Sequence, residues 1–170
     1  SYEPLWNVTI EGNTADDNTC PVMCSFGAGV GIVAGGPNMT IRHNFARRNG
    51  GNVLFGHGIV TGLTARVVDN DVHENSGAVG SGIFSIGPGQ AVTIEDNRAY
   101  ENQGFWFGGG ILGFWGFVNT SIINNTIVNT TGNISAGIGF LSVGPGSTLN
   151  NTIVGNRISG TVGNFSTGIG

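Results

Sequence analysis

Asp69, Asp71 and Asp96, with His43 and Arg98 close by, are the residues of this 170-residue chain whose types could do acid–base chemistry together. A carboxylate can act as base, as general acid or as metal ligand, and an arginine beside it can neutralise an acidic substrate. Two carboxylates one strand spacing apart (~4.8 Å) would push one pKa upward, because like charges resist ionising together. A plainer reading uses the same residues. Asp16, Arg47, His73 and Tyr100 recur at one interval, and Asp17, Arg48, Glu74 and Glu101 at another, so acids and bases face each other from copy to copy. Such pairs make a surface ladder worth about a few tenths of a kcal/mol each.

Covalent chemistry is the second possibility. Cys20 and Cys24 bracket the segment Cys20-Pro21-Val22-Met23-Cys24, which predicts a loop closed by a local disulfide. Two free thiols are the alternative, and two ligands are too few for a metal site. Eight asparagines head an N-x-S/T triplet: Asn7, Asn38, Asn119, Asn124, Asn129, Asn133, Asn150 and Asn164. Twenty asparagines would give about three such triplets by chance, so the excess predicts a secreted protein carrying N-glycans on its surface. A fold that favours Asn and Thr would raise the chance rate. No cofactor other than covalent glycans is expected, and no metal.

The element that must position these residues is a repeat. Val8-Thr9-Ile10-Glu11-Gly12-Asn13, Met39-Thr40-Ile41-Arg42-His43-Asn44 and Val92-Thr93-Ile94-Glu95-Asp96-Asn97 are copies of one unit, and diverged copies end at Asn70, Asn125 and Asn156. The spacings between these six asparagines are 31, 26, 27, 28 and 31. Three residues before them stand Ile10, Ile41, Val67, Ile94, Ile122 and Ile153, and two after them Ala15, Ala46, Val72, Ala99, Ile127 and Ile158. Five after them stand Asn18, Asn49, Asn75, Asn102, Thr130 and Thr161, and a Gly-Ile pair recurs later in every copy. Each apolar column is one residue wide and flanked by polar or small residues, which is the alternation of a half-buried strand. One coil of ~27 residues cannot bury its own apolar face, whereas stacked coils can. The expectation is an all-β chain, a right-handed parallel β-helix of about six coils forming a single domain over 1–170. The asparagines 13, 44, 70, 97, 125 and 156 should form a ladder, because an amide offers both donor and acceptor to the next coil. Gly87-Pro88-Gly89 and Gly144-Pro145-Gly146 read as turns.

The pattern "VTIEDN…N…GGGI", Val92 to Asn97 with Gly108 to Ile111, resembles the parallel β-helix repeats of pectate-lyase-like and NosD-like proteins. The resemblance covers the whole chain and specifies fold more than function, since such repeats serve lyases, epimerases, hydrolases, adhesins and surface fibres. It implies an enzymatic alternative, a carbohydrate-active lyase, epimerase or hydrolase using Asp69, Asp71, Asp96, Arg98 and His43. The Asp-Pro-His-Asp run of alginate-type epimerases is absent from the sequence.

Composition narrows the partners. The chain has no lysine, six arginines and a net charge of −4, so no basic stripe exists to meet nucleic acid. The most apolar run, Phe105 to Val118, is too short and too glycine-rich for a membrane span. Phe105, Trp106, Phe107, Phe114, Trp115 and Phe117 crowd one coil as a sugar-stacking platform or a packing surface. Asn7, Asn38, Asn119 and Asn150 share one repeat position and Asn133 and Asn164 another, so glycans should line one side. No amphipathic capping helix is visible, which predicts contact at both ends with copies of the chain or with further coils. The leading expectation is a structural subunit or segment of an extracellular fibre, coat or adhesin. A third class, a surface-binding solenoid with a flat threonine array, is weakened by Arg66 in the column Thr9, Thr40, Arg66, Thr93, Ser121, Thr152.

Overall fold

The alternation of apolar and polar residues is realised as short strands wound into a parallel β-helix. The computed structural model describes residues 7–24, 29–53, 55–62, 64–86, 91–114, 119–141 and 150–170, and of 21–24, 52, 53, 55, 114 and 141 it describes the backbone alone. The two Gly-Pro-Gly turns, Trp115 and Phe117 lie outside these residues.

Three six-stranded sheets run the length of the molecule, and their strands pair in parallel. The first holds Thr9–Glu11, Met39–Arg42, Ala65–Val68, Val92–Glu95, Ser121–Ile123 and Thr152–Val154. The second holds Thr14–Asp16, Phe45–Arg47, Asp71–His73, Arg98–Tyr100, Thr126–Val128 and Arg157–Ser159. The third holds Ile32–Gly35, Phe55–Gly62, Ser76–Ile86, Gln103–Phe114, Ile134–Leu141 and Phe165–Ile169. One strand from each sheet makes a rung, so the chain builds six rungs.

The register aligns the repeat column by column. Ile10 pairs with Ile41, Ile41 with Val67, Val67 with Ile94, Ile94 with Ile122 and Ile122 with Ile153. These side chains, with Ala46, Val72, Ala99 and Ile127 of the second sheet and Ile59, Ile83, Ile111 and Ile138 of the third, form one continuous core. Each fully buried isoleucine contributes roughly 1.5–3 kcal/mol of transfer free energy.

The corners are set by single residues with left-handed backbone. Between the first and second sheets stand Gly12, His43, Asp69, Asp96, Asn124 and Gly155, all with φ between 53° and 68°. After the second sheet stand Asp17, Arg48, Glu74, Glu101, Asn129 and Gly160, with φ between 51° and 67°. One such residue bends the chain from one sheet toward the next, and the residue that follows points inward. Gly, Asn and Asp tolerate this conformation, while Arg and Glu are strained in it.

The third sheet approaches the second through a glycine column. A Cβ on Gly58 would meet Val72 at 2.0 Å, and one on Gly110 or Gly137 would meet Ile127 or Ile158 at 2.3 Å. The recurring Gly-Ile pair therefore combines close backbone approach with a buried side chain.

The segment Thr19–Cys24, expected as a loop, is a strand on Gly50–Val53. Its pairing lapses between Cys20 and Cys24, where register shifts. Pro21 offers no N–H to a ladder, so the strand bulges rather than breaks.

Candidate functional site

Two amide columns run through the solenoid. In the first, the backbone N–H and Nδ2 of Asn13, Asn44, Asn70, Asn97 and Asn125 each donate to the Oδ1 of the asparagine one rung on, at 2.8–3.0 Å. The same Nδ2 atoms also reach back to the previous rung, from Asn44 to the Ile10 carbonyl at 2.9 Å and from Asn97 to the Val67 carbonyl at 2.8 Å. In the second, Asn18, Asn49 and Asn75 repeat the arrangement toward Asn49, Asn75 and Asn102 at 2.8–3.1 Å. Asn44, Asn49, Asn70, Asn75, Asn97, Asn102 and Asn125 are at most 2% exposed. Burial of so many amides is sustained because each group finds a partner. The second column stops at Asn102, where Thr130 and Thr161 follow.

Every charged side chain among the described residues lies on the first two sheets or at their corners, and the third sheet carries none. His43 occupies the first corner, with Nδ1 3.3 Å from Glu11 and Nε2 3.6 Å from Asp69. Arg42 holds Glu11 at 2.8 Å, and this hydrogen bond lowers the Glu11 pKa, His43 adding to it. Asp69 and Asp96 occupy the same corner column, on its outer side, because their neighbours Asn70 and Asn97 point inward. Asp96 forms no ion pair among the described residues.

Asp71 and Arg98 are cross-strand neighbours on the outer face of the second sheet, 3.5 Å apart. Arg98 also lies over the Tyr100 ring at 5.4 Å. His73 stacks on Tyr100 with centroids 4.4 Å apart and meets the edge of Phe45 at 5.0 Å. Burial, then the nearby Asp71, raises the Tyr100 pKa. Lower on the same face Arg47 contacts Asp16 at 2.7 Å, and Arg48 contacts Asp17 at 2.7 Å. The hydrogen bond from Arg48 lowers the Asp17 pKa.

The structure thus brings His43, Asp69 and Asp96 to one corner and Asp71 and Arg98 to the neighbouring face, with ion-pair partners for most of them. A glycosidic or eliminative reaction needs its acid and base converging on a cleft. This arrangement is instead the outer surface of a corner and a sheet. Three surface concavities are lined by other residues. No group of three His, Cys, Asp or Glu residues among the described residues is placed to hold a metal.

All eight N-x-S/T asparagines are exposed. Asn7, Asn38, Asn119, Asn124, Asn129 and Asn150 also hold left-handed φ values between 53° and 56°. Asn133 accepts a 2.6 Å hydrogen bond from Asn164 of the next rung. A corner Asn followed by an inward residue and then a strand Thr or Ser produces the triplet without reference to modification, which accounts for part of its excess. Cys20 is buried and disulfide-bonded, and the chain has two cysteines. The Cys24 side chain lies outside the described ones.

The outer face of the third sheet is apolar. Phe105 and Trp106 are exposed, and a groove of about 240 Å³ runs past Phe107, Leu112, Ile134, Ala136 and Phe165. One rung pair nearer the start, His57 and Phe84 stack at 4.2 Å, and His57 Nδ1 lies 2.7 Å from Ser81 Oγ. Burial pushes the His57 imidazole pKa down to about 3.

The arrangement defines a class, the parallel β-helix solenoids, and not a reaction. Comparison with protein-family models, curated proteins and solved structures finds no match to this chain. No helix of the described residues is long and apolar enough to cross a membrane.

Proposed function

We propose that this chain is a secreted, N-glycosylated structural β-helix, a subunit or segment of an extracellular fibre, coat or adhesin whose rungs continue end to end. The observation that carries the reading is the continuity of the columns. The aliphatic core passes through all six rungs, and the first amide column reaches both the first and the last. A rung placed beyond either end would meet the pattern it meets inside.

Two further features support it. The charged groups of the first four rungs are spent largely on pairing with one another across rungs. The last two rungs carry Arg157 as their one charged residue but six of the eight exposed acceptor asparagines, so glycans would supply the hydrated surface that charge supplies elsewhere. The carbohydrate-active alternative would need Asp69, Asp71, Asp96 and Arg98 to converge, and their placement on an outer corner and face favours the structural role.

Electron microscopy of the protein secreted from a eukaryotic host, with mass spectrometry of its chymotryptic peptides, tests the proposal. Elongated particles in multiples of the six-rung length and hexose-bearing peptides at Asn119, Asn150 or Asn164 are expected. Isolated monomers at every concentration with bare triplets would overturn it.

A further inference from the structure

Asn49-Gly50 is the one Asn-Gly step in the chain, although twenty asparagines are present. The fold fixes both halves of it. Asn49 is fully buried in the second amide column, and both polar atoms of its amide are used. Its Oδ1 accepts from the backbone N–H and Nδ2 of Asn18 at 3.1 and 2.8 Å. Its Nδ2 donates to the Ala15 carbonyl at 3.1 Å and to Asn75 Oδ1 at 2.9 Å. Only an amide supplies two donors and an acceptor from one short side chain. Gly50 holds φ 128°, and a Cβ there would run into the Ser76 carbonyl oxygen, so glycine is required. The same pair is reactive by its covalent structure. With no side chain to shield it, the Gly50 nitrogen is one five-membered ring closure from Asn49 Cγ. The folded chain prevents that approach. The Gly50 N–H is held by the Asn18 carbonyl at 3.0 Å, and the Asn49 amide is clamped by its four hydrogen bonds.

We propose that Asn49-Gly50 is a modification site that converts only when the second rung parts from its neighbours, and that conversion makes the parting irreversible. The Gly50 nitrogen bonds to Asn49 Cγ, the Cγ–Nδ2 bond breaks, and Nδ2 leaves as ammonia with the proton from Gly50. Water then opens the succinimide at either carbonyl, giving aspartate or isoaspartate. Neither product rebuilds the column. Aspartate sets a carboxylate oxygen against the Ala15 carbonyl and Asn75 Oδ1, where Nδ2 donated to both. Isoaspartate adds a methylene to the main chain at the step where Gly50 must meet Asn18. A buried charge facing two oxygens loses its hydration as well as the two hydrogen bonds. Opening followed by chemical change of the open chain is therefore one-way. Asn18-Thr19, Asn75-Ser76 and Asn102-Gln103 hold the same column position without glycine, so the second rung carries the labile step. The inference does not depend on how the chain assembles.

Timed incubation at mildly alkaline pH, followed by peptide mass spectrometry, tests the site. In urea, Asn49 should turn to acid ahead of every other asparagine. In the native protein at the same pH it should be slower by about a hundredfold or more, because only the open fraction reacts. Equal rates in the two states, or another asparagine leading in urea, would overturn the assignment. Refolding after partial conversion reads the consequence. The pool that regains the wild-type urea midpoint should hold the amide at position 49, and converted chains recovered in that pool would overturn the one-way step. Asn49→Asp supplies the aspartate product in pure form. Burial against oxygens raises the pKa of that acid, so its penalty is full above the raised folded value and fades as pH falls toward the ordinary ~3.9. The gap in urea midpoint from the wild type should narrow between pH 7 and pH 5, and a variant as stable as the wild type at pH 7 would refute the reasoning. Should the variant lack a cooperative transition at both values, the composition of the refolded wild-type pool decides.

Discussion

Replacing Asn97 by Leu tests whether the amide column stabilises the fold or merely occupies space. The side chains are similar in size, so what changes is hydrogen bonding. Asn97 Nδ2 donates to the Val67 carbonyl at 2.8 Å, the Glu95 carbonyl at 2.9 Å and Asn125 Oδ1 at 3.0 Å. Its Oδ1 accepts from the backbone N–H and Nδ2 of Asn70, both at 2.9 Å. Several of these partners keep a second bond after the change. Asn70 Nδ2 retains the Ile41 and Val68 carbonyls, and Asn125 Oδ1 retains the backbone N–H of residue 97. The Asn70 backbone N–H does not, and it is buried. One orphaned buried donor costs ~1–3 kcal/mol, and the lost neutral bonds bring the total to roughly 2–4 kcal/mol. Asn13→Leu is the matched control. Asn13 is exposed, and Asn44 Oδ1 would keep the backbone N–H of residue 13 at 2.9 Å, so its loss should cost under about 1 kcal/mol. Urea unfolding of both variants and the wild type at dilution gives the difference, read with unchanged slope. Equal costs for the two substitutions would refute the reasoning.

The strained corner and the buried histidine give the remaining predictions. Glu101 holds φ 56° without an ion pair among the described residues, so Glu101→Asn should raise stability by about 0.5–1 kcal/mol in a thermal melt, and a lower midpoint would count against corner strain. His57 has a folded pKa near 3 against an ordinary 6.5, so the unfolded chain takes up the proton first as pH falls. Its stabilisation is complete above about pH 6.5 and is lost progressively below it, by about 2 kcal/mol at pH 5. Urea midpoints at pH 7 and 5 should converge in His57→Gln relative to the wild type, and an unchanged gap would refute the assignment.

The fold was legible because the solenoid writes itself into the sequence as columns. Single-residue apolar positions recurring beside a fixed asparagine leave little else that could bury them. What the columns conceal is backbone conformation. Asp69 and Asp96 read as chemistry by type, yet they share a position with Gly12, Asn124 and Gly155, and that mixture of Gly, Asn and Asp is the signature of a left-handed corner. The position of Asn129, and that of Asn7 and Asn38, carries the same message. The recurrence of Asn18, Asn49, Asn75 and Asn102 was visible, but its role as a second amide column was not, because the lone strand pattern does not say that a corner turns the following residue inward. The stacking of His73 on Tyr100 depends on side-chain rotamers, and the bulge at Pro21 on how a strand accommodates a missing donor. The repeat period sets His73 beside Tyr100 without announcing that the rings stack, and the bulge has no period at all.

The early end of the second amide column has a mechanical consequence. Hydrogen bonds between rungs point along the solenoid axis, so a pull along that axis loads the rung junctions in series and the weakest one parts first. The first three junctions each hold two side-chain amide links and the fourth holds one, from Asn97 to Asn125, while the fifth holds that from Asn125 to Asn156 and the exposed one from Asn164 to Asn133. The cross-rung ion pairs are confined to the first four rungs as well. A filament of such units would therefore yield under tension at regular intervals, at the fourth junction of every subunit, just beyond Asn102.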